Sequence, residues 1–71
     1  MVEPRVKLRF AIDHGNWAAN LLDKCDYEIV YLDPNLYSYD QRWVVRVFRK
    51  GNEWLELWCD EDFSNKTLIE L

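Results

Sequence analysis

The sequence has few of the residues that interrupt regular structure or carry chemistry. Among 71 residues it holds two glycines and two prolines, which argues against a disordered chain. One histidine and two cysteines cannot supply the roughly four spaced ligands of a structural zinc site. The sequence also has no glycine-rich phosphate loop, nucleophile elbow or dinucleotide fingerprint. We therefore expect a protein that is not an enzyme and holds neither metal nor cofactor.

Long apolar runs are missing as well. No stretch approaches the roughly 20 apolar residues of a membrane-spanning helix, and the start of the chain lacks the apolar region of a signal peptide. The chain begins with Met1, so we expect a complete small gene product that stays in the cytoplasm, with no membrane partner. In that compartment Cys25 and Cys59 are expected to be reduced.

The charges are acidic overall but unevenly placed. The net charge of −4 disfavours binding to phosphate backbones, which depends on an excess of lysine and arginine. Residues 41–50 nevertheless carry four basic residues and no acid, whereas residues 60–62 are all acidic. Either these blocks neutralise one another across a sheet, or the fold has a basic side.

Side-chain periodicity predicts one small α+β domain over residues 1–71, in the order β-α-β-β-β, with 1–5 as a loose tail. Residues 6–12 alternate between apolar and polar or small, the period of a strand with one buried face. From Trp17 to Cys25 the apolar residues follow a helical spacing, with Asn16 as the expected N-cap. Residues 27–32 then resemble a second strand.

The second half of the chain predicts a central hairpin in a mostly antiparallel sheet. Residues 42–49 and 54–59 are rich in β-branched and aromatic residues, and Gly51-Asn52 suits a two-residue turn between them. Residues 36–41 are expected to form a loop. The last segment is expected to end in a strand over 67–71, with a continuous helix as the alternative.

The predicted turn sorts the hairpin side chains onto two faces that are both largely apolar. One face would hold Val44, Phe48, Leu55, Leu57 and Cys59, with Arg46 among them. The other would hold Trp43, Val45, Val47, Trp54 and Trp58, together with Arg49 and Glu56. The first face is expected to form a core with the helix and first strand, from Val6, Leu8, Phe10, Trp17 and Leu21. One short helix covers only one face.

The tryptophan-rich face is the first candidate site, and three interpretations are open. It could pack against the C-terminal segment, form the seam of a homodimer, or bind another protein. Tryptophan and arginine are frequent energetic anchors of protein interfaces. The candidate interface residues are therefore Trp43, Arg49, Trp54 and Trp58.

The sequence leaves two other classes of function open. The basic, aromatic stretch 37–50 resembles a surface on which single-stranded nucleic acid stacks, with Tyr37, Tyr39, Arg42 and Arg46 as its candidate residues. An enzyme built on the neighbouring Asp13 and His14 would need a nucleophile and a pocket, which no motif supplies. The sequence thus favours a small non-enzymatic accessory, regulatory or inhibitory protein that acts through protein contacts, with another protein or itself as partner.

Overall fold

The computed structural model describes residues 3–15, 17–36 and 41–71, and these form an α+β fold. A four-stranded antiparallel sheet has the strand order β1-β2-β3-β4, and two helices precede it in the chain. The elements are α1 (Pro4–Gly15), α2 (Ala19–Lys24), β1 (Asp26–Tyr31), β2 (Trp43–Arg49), β3 (Asn52–Cys59) and β4 (Lys66–Glu70). The predicted fold class, with an antiparallel sheet around a central hairpin, is confirmed.

The predicted first strand is wrong, because residues 6–12 belong to helix α1. The carbonyl of Glu3 accepts the first bonds, from the backbone N–H of Val6 and Lys7. Pro4 is well suited to the first helical position, since it has no N–H that needs a partner. Helix α1 thus begins inside the segment expected to be a tail, and the element order is α-α-β-β-β-β.

Helix α2 is shorter than predicted. It covers Ala19–Lys24 and begins after Ala18, whose φ of 31° is left-handed. The predicted N-cap, Asn16, lies outside the described residues. Strand β1 follows almost at once, one residue earlier than expected at each end.

The hairpin turn lies one residue earlier than predicted, and this changes the register of β2 and β3. Lys50 and Gly51 have φ values of 52° and 82°, so they are the two central residues of the turn. Asn52 already pairs with Arg49 in the ladder. The register then shifts at Val47/Phe48, where Trp54 is the extra residue of a β-bulge.

The corrected register puts the most apolar hairpin residues on one face, under the helices. Val45 lies opposite Leu57 and Val47 opposite Leu55, whereas the prediction placed these pairs on different faces. We call this the inner face. The core is formed by Leu8, Ile12, Trp17, Leu22, Val45, Val47, Leu55, Leu57, Cys59 and Phe63.

The other face of the sheet, the outer face, carries the hairpin residues Val44, Arg46, Phe48, Glu53, Glu56 and Trp58. Val44 is buried there without joining the core cluster, and Phe48 is half-buried. Two more residues of the predicted core, Val6 and Phe10, are exposed on α1.

The C-terminal segment ends in a strand, as predicted, and the alternative of a continuous helix is wrong. Between β3 and β4 the chain turns through residues 60–65, and Phe63 points into the core with no exposed surface. Phe63 has a left-handed φ of 58°, so the backbone accepts a conformation that side chains of its kind rarely adopt. Its burial in the core offsets that local cost.

Candidate functional site

The four predicted interface residues do not share one surface. Trp43 and Trp54 pack against the core from the inner side of the sheet. Trp58 pairs with Val44 and lies on the outer face. The bulge at Trp54 causes this separation, because one extra residue moves the side chains beyond it to the opposite face, whereas the earlier turn shifts each pair by two residues and leaves the faces unchanged. The grouping of three tryptophans on one face is therefore wrong.

Trp43 contacts two other aromatic rings and lines a groove. Its ring stacks on Phe63 at 5.5 Å and meets Tyr31 edge-on at 5.2 Å, and its Nε1 donates to the Glu61 carbonyl at 3.1 Å. One side of the indole lines a groove of about 550 Å³ with Tyr31 and Arg42, at the N-terminal end of α1.

The side chains of Arg49, Trp54 and Trp58 contact other side chains of the sheet. The Arg49 guanidinium lies 4.2 Å from the centre of the Trp54 ring, in a cation–π pair. The Nε1 of Trp58 donates to Glu56 at 3.0 Å, beside a small hollow lined by Gln41, Thr67 and Ile69. None of these three residues lines the groove at Trp43.

The candidate nucleic-acid residues do not present a free basic strip. Arg46 lies within 3.4–3.5 Å of carboxylate oxygens of Glu28, Glu53 and Glu56, because these residues share the outer face. Arg42 pairs with Glu61 at 3.4 Å. Tyr37 and Tyr39 lie outside the described residues. The sequence left two expectations open, neutralisation of the basic segment by acidic residues or a basic side of the fold. The pairing of Arg46 and Arg42 with carboxylates agrees with the first.

The acids around Arg46 affect one another. Hydrogen bonding with the Glu56 side chain raises the pKa of Glu53, and desolvation raises it further, while the Arg46 charge acts in the opposite direction. Three carboxylates around one guanidinium leave a surplus of negative charge on the outer face. A phosphate backbone would be repelled there rather than attracted.

Asp13 and His14 do not form an acid–base pair. The Asp13 carboxylate binds Arg9 at 3.3 Å, one helical turn earlier. The imidazole of His14 lies with Nδ1 2.9 Å from the Phe10 carbonyl oxygen and stacks on the Phe10 ring at 4.0 Å. Both side chains are thus held by their own helix.

The two thiols are free. Burial of Cys59, reinforced by the nearby charge of Asp60, raises the pKa of its thiol to about 12 despite the opposing charge of Lys66. A thiol in such a site stays protonated at neutral pH and is a poor nucleophile. Cys59 is therefore a packing residue of the core.

The most exposed apolar surface on a helix was not predicted from the sequence. Val6 and Phe10 are 56% and 64% exposed, one turn apart on the side of α1 that faces away from the core. They line a groove of about 660 Å³ with Lys7, Ala11 and His14. The signal was present in the alternation of residues 6–12, because period two on a helix leaves half of the apolar residues outside.

The opposite wall of this groove is built by the loop 60–65. The Asp60 carboxylate accepts bonds from the Ser64 N–H at 2.8 Å, the Ser64 hydroxyl at 2.7 Å and the Asn65 amide at 3.0 Å. Desolvation acts to raise the pKa of Asp60, but these bonds outweigh it and lower the pKa. The loop so ordered places Asp62 and Ser64 across the groove from α1.

The described residues form a small α+β domain with grooves on the helical side. No three histidine, cysteine, aspartate or glutamate side chains among them come together as metal ligands. Within the same ranges, no helix has the length and apolar character needed to cross a membrane. The chain matches no known family model, and neither curated proteins nor solved structures show significant similarity to it.

Proposed function

We propose that this is a small non-enzymatic protein that acts by binding another protein, with α1 as the contact surface. The observation that carries the proposal is the exposure of Val6 and Phe10 on the outer side of α1. A helix of a small domain normally presents polar residues on that side. A partner that covers these two large apolar side chains removes their surface from water, which is favourable for binding.

The groove beside these residues defines the kind of partner. Its floor is apolar, from Val6, Phe10 and Ala11, and its rim is polar, from Lys7 and Asp62, whose charged groups lie 4.0 Å apart. Such a site fits a segment that presents one or two large apolar side chains between polar ones, as amphipathic segments do in apolar grooves. The aromatic ring of Phe10 would be the main anchor.

The groove at Trp43 extends the proposed surface to the other flank of α1. Lys7 lines both grooves, and Tyr31 and Trp43 add aromatic area to the second. Of the interface residues expected from the sequence, Trp43 thus remains a candidate contact. Arg49, Trp54 and Trp58 are less suited, because they line neither groove.

The proposed role is accessory, regulatory or inhibitory, and we place it in the cytoplasm. Two free thiols suit a reducing compartment. A nucleic-acid-binding role has less support, because Arg46 and Arg42 are paired with carboxylates. An enzymatic role also has less support, because Asp13 and His14 are bound to Arg9 and Phe10.

The proposal is tested by selecting peptides from a displayed random library on the immobilised protein. Enriched peptides should share large apolar residues and should shift the amide resonances of α1 and of residues 60–65. Peptide affinity, measured by fluorescence anisotropy, should fall at least about 30-fold in V6S/F10S, as expected for loss of an aromatic anchor worth about 2 kcal/mol.

The matched control is L36S/L71S, which removes two apolar side chains that are also exposed but lie outside both grooves. This variant should bind the peptides like the wild type. Equal binding by V6S/F10S, or failure to enrich any peptide family, would contradict the proposal. Tight, salt-dependent binding of a labelled single-stranded oligonucleotide would instead favour the nucleic-acid alternative.

A further inference from the structure

Strand β4 is an exposed edge of the sheet. Within the described part of the chain it pairs with β3 on one side only, and all five of its residues are exposed. Leu68, at its centre, is 54% exposed. Edge strands with apolar centres present unpaired backbone groups that bind further strands unless charges or bulges prevent it.

The direction of the backbone groups shows which N–H and C=O groups of β4 can bind a further strand. Leu71 donates its N–H to the Trp54 carbonyl at 3.0 Å, so this end of the strand is hydrogen-bonded to β3. Backbone groups alternate in direction along a regular strand. The N–H and C=O groups of Lys66, Leu68 and Glu70 therefore point away from the sheet.

The charges of β4 are symmetric about Leu68. Lys66 lies two residues before it and Glu70 two residues after it, and both share the inner side of the sheet with Leu68. Lys66 is held on that side by Trp17, whose ring centre lies 5.4 Å from the ammonium nitrogen. Neither Lys66 nor Glu70 has a salt bridge among the described residues.

We propose that β4 pairs with β4 of a second copy of this chain, antiparallel and centred on Leu68. This register would place Lys66 of each copy opposite Glu70 of the other and the two Leu68 side chains in contact. It would also bring the outward backbone groups into six hydrogen bonds, two at each of three facing pairs. The product is a continuous sheet of eight strands with two-fold symmetry.

The other sheet edge does not fit its own copy. Strand β1 carries Asp26 and Glu28 and has no basic residue, so self-pairing would bring carboxylates together. Like charges directly opposite one another destabilise a strand pair. The dimer therefore forms at β4. This inference takes from the proposed function only that the protein acts through protein contacts, and it adds a second copy as partner at a different surface.

The test is a charge-swap series measured by sedimentation equilibrium from micromolar to millimolar protein. The wild type should be a dimer at the high end of this range. K66E and E70K each place two like-charged pairs across the seam, and each should weaken association about tenfold or more. The double variant K66E/E70K restores opposite charges and should recover wild-type affinity to within about threefold. K24E, on the exposed side of α2, is the control and should dimerise normally.

The variants change exposed side chains, so circular dichroism and the unfolding midpoint should be preserved in each. A monomeric wild type at millimolar concentration would overturn the proposal, as would single variants that dimerise normally or a double variant that fails to recover. Dimerisation by V6S/F10S separates the two surfaces: this variant should lose peptide binding and keep the dimer. If it loses the dimer as well, association occurs through α1 and the β4 proposal is wrong.

Discussion

At the scale of single residues, Asp60 does more than its position in an exposed turn suggests. Its carboxylate accepts three hydrogen bonds from Ser64 and Asn65, and its own carbonyl accepts one from the Phe63 N–H. These bonds hold the loop that carries Phe63 into the core and forms one wall of the α1 groove. One charged group thus links the stability of the domain to the shape of its candidate site.

We expect D60A to lower the free energy of unfolding by about 1–3 kcal/mol, the usual effect of removing hydrogen bonds to a charged group. Urea unfolding at pH 7 measures this change. D62A is the matched control, because the Asp62 side chain is 79% exposed and, among the described residues, its salt bridge is with Lys7 alone, at 4.0 Å. A loss in D62A as large as that in D60A would contradict this account.

The loss of stability caused by D60A should depend on pH. Hydrogen bonding lowers the pKa of Asp60 below its ordinary value of 3.8 in the folded state. Its contribution is therefore complete above that value and is lost as the pH falls through the folded-state pKa. The difference between wild type and D60A should be constant from pH 7 to about pH 5 and should narrow below about pH 4. A difference that widens on acidification would be the opposite of this expectation.

At the scale of elements, the bulge at Trp54 determines which side chains of β2 and β3 share a face. The turn lies at Lys50-Gly51, where Lys50 adopts a left-handed φ of 52° that costs an ordinary side chain about 1–2 kcal/mol. A hairpin without the bulge, with its turn at either position, would place Arg46 on one face with Leu55 and Leu57. Leaving a cation unpaired among apolar groups costs several kcal/mol. The bulge moves Leu55 and Leu57 to the inner face and brings Glu56 opposite Arg46 instead.

We expect K50N to raise the free energy of unfolding by about 0.5–1 kcal/mol, because asparagine tolerates a left-handed backbone better than lysine and Asn-Gly favours this turn. Thermal unfolding measures the gain. N52T is the informative companion: Asn52 is already in a strand, so threonine should be tolerated within about 0.5 kcal/mol. Strong destabilisation by N52T would place the turn at Gly51-Asn52 after all.

Helix α1 is the second element whose role depends on context. Leu8 and Ile12 are buried against the sheet, and Val6 and Phe10 are exposed on the other side of the same helix. One helix therefore serves both the core and the proposed contact surface. Substitutions on its two sides separate those roles.

At the scale of the whole molecule, one core joins both helices, the sheet and the loop after β3. Phe63 is among its largest fully buried side chains, and its ring also supports Trp43. A domain of this size has a free energy of unfolding of only a few kcal/mol, so a single core residue holds a large share of its stability.

We expect F63A to lose about 3–5 kcal/mol and to leave the protein partly or wholly unfolded at room temperature. The circular dichroism signals of helix and sheet should disappear together, because both pack on the same core. L36A is the control, since Leu36 is 78% exposed and its truncation should change stability by less than about 0.5 kcal/mol. A folded F63A with native stability would mean that the loop does not belong to the core.

Much of the sheet could be predicted from local pattern alone. Strand β1, the hairpin strands and β4 all form close to where alternation, β-branched residues and a turn sequence indicated them. The candidate site could not be predicted in the same way. Trp43 was identified by residue type, but Val6 and Phe10 were assigned to the core, and residues 60–62 were distinguished only by their acidic charge.

The sequence by itself determined the α+β class, the central hairpin and the net negative charge, because these follow from composition and from side-chain period within single segments. Only the tertiary structure decided the conformation of residues 6–12 and the register of the hairpin. Residues 6–12 satisfy both a strand period and a helical i,i+4 spacing, and the sheet face that needed covering selects the helix through Leu8 and Ile12. The register likewise depends on the carboxylates available to Arg46, which belong to Glu53 and Glu56 of β3 and to Glu28 of β1. Such choices compare burial and charge pairing across the whole fold, which no local pattern contains.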